Sequence, residues 1–228
     1  MIPTFNVAGT GLFGGHRRVV TDPFRDNVVV LLEGEGANGG TTIVDSGPHG
    51  ITMSLVGSYT TSTAQFKQGT ASLLTNGLGG VLHYTNTAQT LIAGDWTIEM
   101  WMYSVSGQFY LIDNSQSNPD QRLKIFRAGD TTITFGGNGG THITGGTSSN
   151  NAWHHYVAQN VAGTIELGLD GVSQGTWTGN PGLPAVGSRT HIGCSFAGQE
   201  GIAYMDEIRI SNIARYTFPF TPPTGPLY

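Results

Sequence analysis

A chain of 228 residues carrying a formal net charge of −5 is long enough for one sizeable domain and too acidic to hold nucleic acid or anionic lipid by bulk electrostatics. Glycine takes 35 positions and charged residues only 11%, against about 25% in ordinary soluble domains, while aromatics reach 10%; a disordered chain has the opposite balance. No run of about 18 apolar residues is present to cross a membrane as a helix, and the irregular spacing of the glycines excludes a collagen repeat.

Residues 1–24 combine Gly9, Gly11, Gly14 and Gly15 with scattered apolar residues, among them Ile2, Phe5, Leu12 and Phe13. That composition is too glycine-rich for a helix and too interrupted for a long strand, so it reads as an extended N-terminal arm ahead of a domain at 25–228. Asn27-Val28-Val29-Val30-Leu31-Leu32-Glu33 is a strand buried on both faces. In Asp95-Trp96-Thr97-Ile98-Glu99-Met100-Trp101-Met102-Tyr103 the even-numbered residues share one face and Thr97, Glu99, Trp101 and Tyr103 the other. Further strands are expected at 51–56, 71–75, 80–84, 108–113, 121–127, 131–135, 152–160, 163–169, 172–177, 189–193 and 202–210. Asn38-Gly39, Asn76-Gly77, Asn138-Gly139 and Asp170-Gly171 mark turns between strands, the last being the best hairpin signal because strand patterns flank it directly. Only 211–216 reads as a turn of helix. A dozen short strands describe an all-β, two-sheet antiparallel sandwich. Cys194 is the single cysteine, so no intrachain disulfide is available, and Met1-Ile2-Pro3-Thr4 lacks the pattern of a secretory signal; folding in a reducing cytoplasm is expected.

The order Asp95-Trp96-Thr97-Ile98-Glu99-Met100-Trp101, Trp153-His154-His155-Tyr156-Val157-Ala158, Leu169-Asp170-Gly171-Val172 and His191-Ile192-Gly193 resembles the laminin-G-like, concanavalin A-like jelly roll. Tyr204-Met205-Asp206-Glu207-Ile208-Arg209-Ile210-Ser211, then Ala214-Arg215-Tyr216 and Phe220-Thr221-Pro222-Pro223-Thr224, extend the resemblance over about residues 22–224, in the version common among tailed-phage virion proteins. The resemblance implies a capsid decoration, spike or tail-fibre subunit. Where family members often carry an acidic turn, this chain has Asn76-Gly77-Leu78-Gly79-Gly80-Val81; calcium needs six to eight oxygens, usually several from carboxylates, so no cofactor is expected and calcium is the alternative.

Catalytic chemistry is poorly supplied. Glucanases on this fold aim two carboxylates into one cleft from alternate strand positions, and no Glu-x-Asp-x-x-Glu triplet occurs. Asp206 and Glu207 are adjacent, which on a regular strand sends them to opposite faces, Asp206 toward a loop and Glu207 toward solvent. His154 and His155 are likewise opposed, the other histidines lack zinc-site spacing, and Cys194 reads as a buried thiol. Gly193-Cys194-Ser195-Phe196-Ala197-Gly198 is not a nucleophile elbow, and Gly136-Gly137 and Gly139-Gly140 read as turns. Trp101, Tyr103, Tyr110 and Trp177 are candidates for stacking on a sugar, whereas Trp96 and Trp153 are expected in the core.

Two functions compete. The first is a non-enzymatic virion structural protein on the virion surface, a homo-oligomer such as a trimer, anchored to capsid or tail proteins through Ile2, Phe5, Leu12 and Phe13. The proline-extended end at 216–223 is a second segment for packing along a partner. The alternative is a carbohydrate-binding adhesin module recognising a host-surface glycan; a glucanase-like hydrolase ranks last. Neither nucleic acid nor membrane insertion is expected.

Overall fold

The computed structural model describes residues 22–227 apart from 78, 91–92, 115–122, 130, 138–139, 183 and 196–200. Ile2, Phe5, Leu12 and Phe13 therefore lie outside the described residues, as does the start of the strand expected at 121–127. A 3-10 turn at Arg25–Asn27 leads into β1 (Val28–Leu32), β2 (Ser54–Val56), β3 (Thr60–Ser62), β4 (Ser72–Asn76), β5 (Val81–Thr85), β6 (Trp96–Ser106) and β7 (Phe109–Asp113). There follow β8 (Lys124–Arg127), β9 (Thr132–Gly137), β10 (Gly140–Thr147), β11 (Trp153–Val161), β12 (Thr164–Leu169), β13 (Val172–Thr178), β14 (Arg189–Ile192) and β15 (Ile202–Ser211). Sheet I has the order β13-β12-β11-β6-β15-β4-β3, with β1 also paired to β15; sheet II has the order β10-β9-β8-β7-β14-β5-β2. Every pairing among the described strands is antiparallel, and the two sheets form a jelly-roll sandwich, the expected class.

The core follows from strand periodicity. Ile98, Met100 and Met102 of β6 point between the sheets and meet Leu111, Ile125 and Phe135. β1 is buried on both faces, as its apolar run requires: Val29, Val30 and Leu32 enter the main core, and Val28 and Leu31 pack with Leu227 on the far side. Asp170 and Gly171 take φ +51° and +79° and close the β12–β13 hairpin with the mirror-image turn that Asp-Gly favours.

Three expectations fail for identifiable reasons. Gly136 and Gly137 finish β9 and Gly140 opens β10, so these glycines are strand residues; a Cβ on Gly137 would come within 2.7 Å of Pro181 O. The segment 211–216 is not helical, since β15 continues to Ser211 and the chain then turns across sheet I. Trp96 is in the core as expected, but Trp153 starts β11 half-buried on the outer face, beside Tyr103.

Candidate functional site

Part of the outer face of sheet I is covered by the C-terminal segment, which packs on its own domain. Gln159 Nε2 donates to Tyr216 O at 2.8 Å, Phe220 N–H donates to Gly171 O at 2.9 Å, and Gln68 Nε2 donates to Thr224 O at 2.9 Å. Gly168 makes room for this crossing, because a Cβ there would lie 2.3 Å from the Phe218 ring. Beneath the segment, Glu99 is buried at 1% exposure; its Oε1 accepts from Arg209 Nε and Nη2 at 2.9 and 2.7 Å, and its Oε2 accepts from His155 Nε2 at 3.2 Å and from the Tyr216 hydroxyl at 2.5 Å. Arg209 Nη1 donates onward to Leu227 O at 2.6 Å and to Asp22 at 3.2 Å, so the domain's contacts begin ahead of the boundary expected at 25. Burial acts to raise the Glu99 carboxyl, but the Arg209 charge and the hydrogen bonds overcome it and hold it at about 2.

A bulge in β15 between Asp206 and Arg209, with Glu207 at φ +51°, breaks the alternation that would have exposed Glu207. Glu207 is instead 2% exposed and accepts from Leu227 N–H at 2.5 Å. Asp206 does hold a loop, accepting from the amides of Lys67 and Gln68 at 2.7 and 3.0 Å. Burial pushes Asp206 up to about 6; burial, reinforced by the charges of Asp206 and Glu33, pushes Glu207 up to about 8.

Sheet II presents a different outer face. Pairing sets Ser54, His83, His191, Asp113, Lys124 and Gly136 opposite one another across β2, β5, β14, β7, β8 and β9. Their chain neighbours Leu82, Ile192, Ile112, Ile125 and Phe135 lie in the core, so this polar row faces outward. One step along, Tyr110 stacks on Phe126 with centroids 5.5 Å apart at 28°, and Lys124 Nζ stands 5.9 Å over the Phe126 ring. Tyr110, Phe126 and Lys124 are half-buried, while His83, His191 and Asp113 are buried. Burial, together with the Arg189 charge, lowers both histidines below their ordinary 6.5, which leaves them neutral at pH 7; burial and then the Asp113 charge raise the Tyr110 hydroxyl. Among the described residues no group of three or more His, Cys, Asp or Glu is placed to hold a metal ion.

Residues 76–216 match the family model of the concanavalin A-like lectin/glucanases superfamily. The chain belongs to that superfamily. No curated protein matches the sequence significantly. Among solved structures, this member of the superfamily resembles the binding domain of Paraclostridial Mosquitocidal Protein 1 at TM-score 0.64 and 14% identity, over 85% of this chain and 50% of that one. The receptor binding domain of botulinum neurotoxin D matches at TM-score 0.64 and 11% identity, over 85% and 51%. The binding domain of botulinum neurotoxin DC, solved in complex with SialylT, matches at 0.62 and 11%, over 84% and 49%. The chain thus spans about half the length of these structures, and at such identities they share its fold.

On this superfamily scaffold the four stacking candidates separate. Trp101 keeps only 6% of its surface, with Lys67 Nζ 3.7 Å over its ring, so it offers no open face. The Trp177 ring is stacked on His142 at 3.8 Å and 7°, and lies where a Cβ on Gly179 would come within 2.3 Å of it. Tyr103 sits half-buried on sheet I between Trp153 and Tyr204, at 5.8 and 5.9 Å. Tyr110 alone of the four joins a half-exposed ring to a row of polar groups. Phe126 and Tyr204 were not among the stacking candidates and Trp153 was expected in the core; their cross-strand pairing to Tyr110 and Tyr103 is the signal that finds them. Cys194 is fully buried, and Asp45 organises a loop by accepting from the amides of Leu31, Gly47 and Ile51.

Proposed function

We propose that the domain is a glycan-binding module that grips a sugar on the outer face of sheet II and does not cleave it. The observation that carries this is the Tyr110–Phe126 pair. A pyranose lays its C–H face on such rings, while the half-buried Lys124 beside them on β8 offers a donor for its hydroxyls. Support for the ligand class comes from two proteins of the same fold: botulinum neurotoxin type C depends upon interaction with two ganglioside molecules to enter cells, and the DC binding domain was solved with SialylT. Glycoside hydrolysis is not part of this reading, because Glu99 and Glu207 are engaged by the C-terminal segment, and Asp206 and Asp45 each hold a loop. A single shallow site binds weakly and gains avidity through repeated copies. The test is a glycan array with the protein displayed multivalently, followed by titration of any hit against Tyr110→Ala and Trp153→Ala. Binding lost in the first and kept in the second supports the site. The reverse moves it to sheet I, and a blank array overturns the function.

The setting we propose for such a module is a virion surface, as a homo-oligomeric decoration, spike or fibre subunit. One observation favours residues 1–24 as its anchor: the C-terminal segment, the other candidate for packing along a partner, is engaged by its own domain. Deleting 1–21, which spares the Asp22 contacts to Arg209 and Arg215, is expected to leave a folded domain that no longer joins its assembly. Incorporation of the truncated form would refute the anchor without touching the glycan site.

A further inference from the structure

Where β10 gives way to β11, three side chains meet that lie 5 and 16 positions apart in the chain. Ser149 Oγ is 2.9 Å from His154 Nε2, and His154 Nδ1 is 2.6 Å from Asp170 Oδ2. The carboxylate fixes the tautomer: with Nδ1–H donated to Asp170, Nε2 is left to accept the serine proton. Asp170 is itself held, its Oδ1 accepting from His155 N–H at 2.8 Å within the β12–β13 turn. Burial acts to raise its carboxyl, but the hydrogen bonds from His154 and from the His155 amide lower it below the ordinary value, so it is ionised at neutral pH.

The serine stands on a braced turn. Buried Arg127 donates through Nε to Ser148 Oγ at 2.9 Å and through Nη2 to Asn150 Oδ1 at 2.5 Å, and Tyr156 OH donates to Ser148 Oγ at 2.6 Å. Ser148 N–H and Asn151 N–H are spent on Thr131 O and Ser104 O, whereas the amides of Ser149 and Asn150 donate to no carbonyl among the described residues. Two adjacent uncommitted amides at the nucleophile are what a developing oxyanion uses. Ser149 is exposed, and the His154 and Asp170 side chains keep 17% and 42% of their surface, so the group is reachable from solvent.

We propose that Ser149 is an activated nucleophile that cleaves small carboxylic esters, with His154 as its general base and Asp170 as the positioning residue. Ser149 Oγ attacks the ester carbonyl carbon as its proton passes to His154 Nε2. The carbon–alkoxy bond breaks, and the departing alkoxide takes that proton as alcohol. Water then attacks the acyl-serine, giving its proton to His154, and the carboxylic acid leaves as Ser149 is regenerated. Ser149 is exposed, and short acyl groups such as acetyl are the class of substrate we assign to it. The inference does not depend on the glycan reading, which concerns sheet II.

The test incubates the full chain with p-nitrophenyl acetate and, separately, with a fluorophosphonate probe whose adduct is located by peptide mass spectrometry. Labelling at Ser149 in preference to the exposed Ser54 and Ser173 is expected, and nitrophenol release above background is expected to vanish in Ser149→Ala. His154→Gln should slow labelling at least about 10²-fold. Asp170→Asn should shift the pH profile of labelling while leaving the melting temperature near that of the parent, a split that a purely structural carboxylate would not produce. Labelling spread evenly over the exposed serines, or ester turnover unchanged in a Ser149→Ala protein that melts normally, would overturn the proposal.

Discussion

The two outer faces of the sandwich solve opposite problems. Sheet I buries a glutamate, an arginine and a histidine together, and lays residues 213–227, with the half-buried Tyr216, over them. Sheet II keeps a stacked aromatic pair and a lysine half-buried at the edge of a row of buried polar groups. A face whose charges are matched inside the molecule has nothing left for a ligand. One whose rings and polar groups remain part-exposed can still exchange water for a partner. The difference teaches where to look on this fold: charge density is highest on sheet I, yet its charges are consumed by structure.

The sharpest way to break the contrast is to unbalance sheet I. Arg209→Met removes two hydrogen bonds to Glu99 and one to Leu227 O, and leaves the Glu99 charge buried with only His155 and Tyr216 beside it. Loss of about 3–5 kcal/mol in urea unfolding is expected, as for other broken buried ion pairs. Adding Glu99→Leu should recover much of it, because the unpaired charge goes too. A single variant as stable as the parent would mean that the cluster does not hold the tail.

A smaller effect is expected from Gly168→Ala, whose methyl must displace the Phe218 ring; about 1–3 kcal/mol is the usual cost of overpacking. Glu207→Gln sharpens the comparison through pH. The folded chain holds Glu207 protonated up to about 8, while the unfolded chain releases that proton near 4.5, so Glu207 makes the fold less stable as pH rises between those values. The Gln variant keeps an acceptor for Leu227 N–H and loses that slope. Subtracting its pH–stability curve from the parent's should leave a difference that grows between pH 4.5 and 8 and stays constant on either side of that window.

What could be read ahead of the structure was whatever has a local period. The alternation of β6, the apolar run of β1 and the Asp170-Gly171 hairpin each carry their own signal within a few residues, and all three stand as expected. β10 carries none, because Gly140, Gly145 and Gly146 interrupt it and glycine argues against a strand. The burial of Glu207 depends on one inserted residue in β15, which no alternation rule foresees. Cross-strand chemistry is intermediate. The turn at Ala162-Gly163 sets Tyr156 opposite Leu169, which brings Asp170 to the level of His155 and within reach of His154; that register is computable from the hairpins. Tyr110 could be named from sequence but not its value, since Phe126 becomes its neighbour only through the register of β7 on β8.

The smallest expected effect on stability is the most telling for function. Tyr110→Ala removes a half-buried ring from the surface of sheet II, where it contacts Phe126 and contributes nothing to the main core. The lost aromatic contact and part-buried area should cost about 1 kcal/mol in unfolding, well below the Arg209→Met loss. If sheet II is the ligand face, the same substitution should abolish detectable glycan binding, so that stability and binding respond in opposite proportion on the two faces. A Tyr110→Ala protein that unfolds as easily as Arg209→Met would assign Tyr110 to the scaffold and remove the asymmetry between the faces on which the binding site rests.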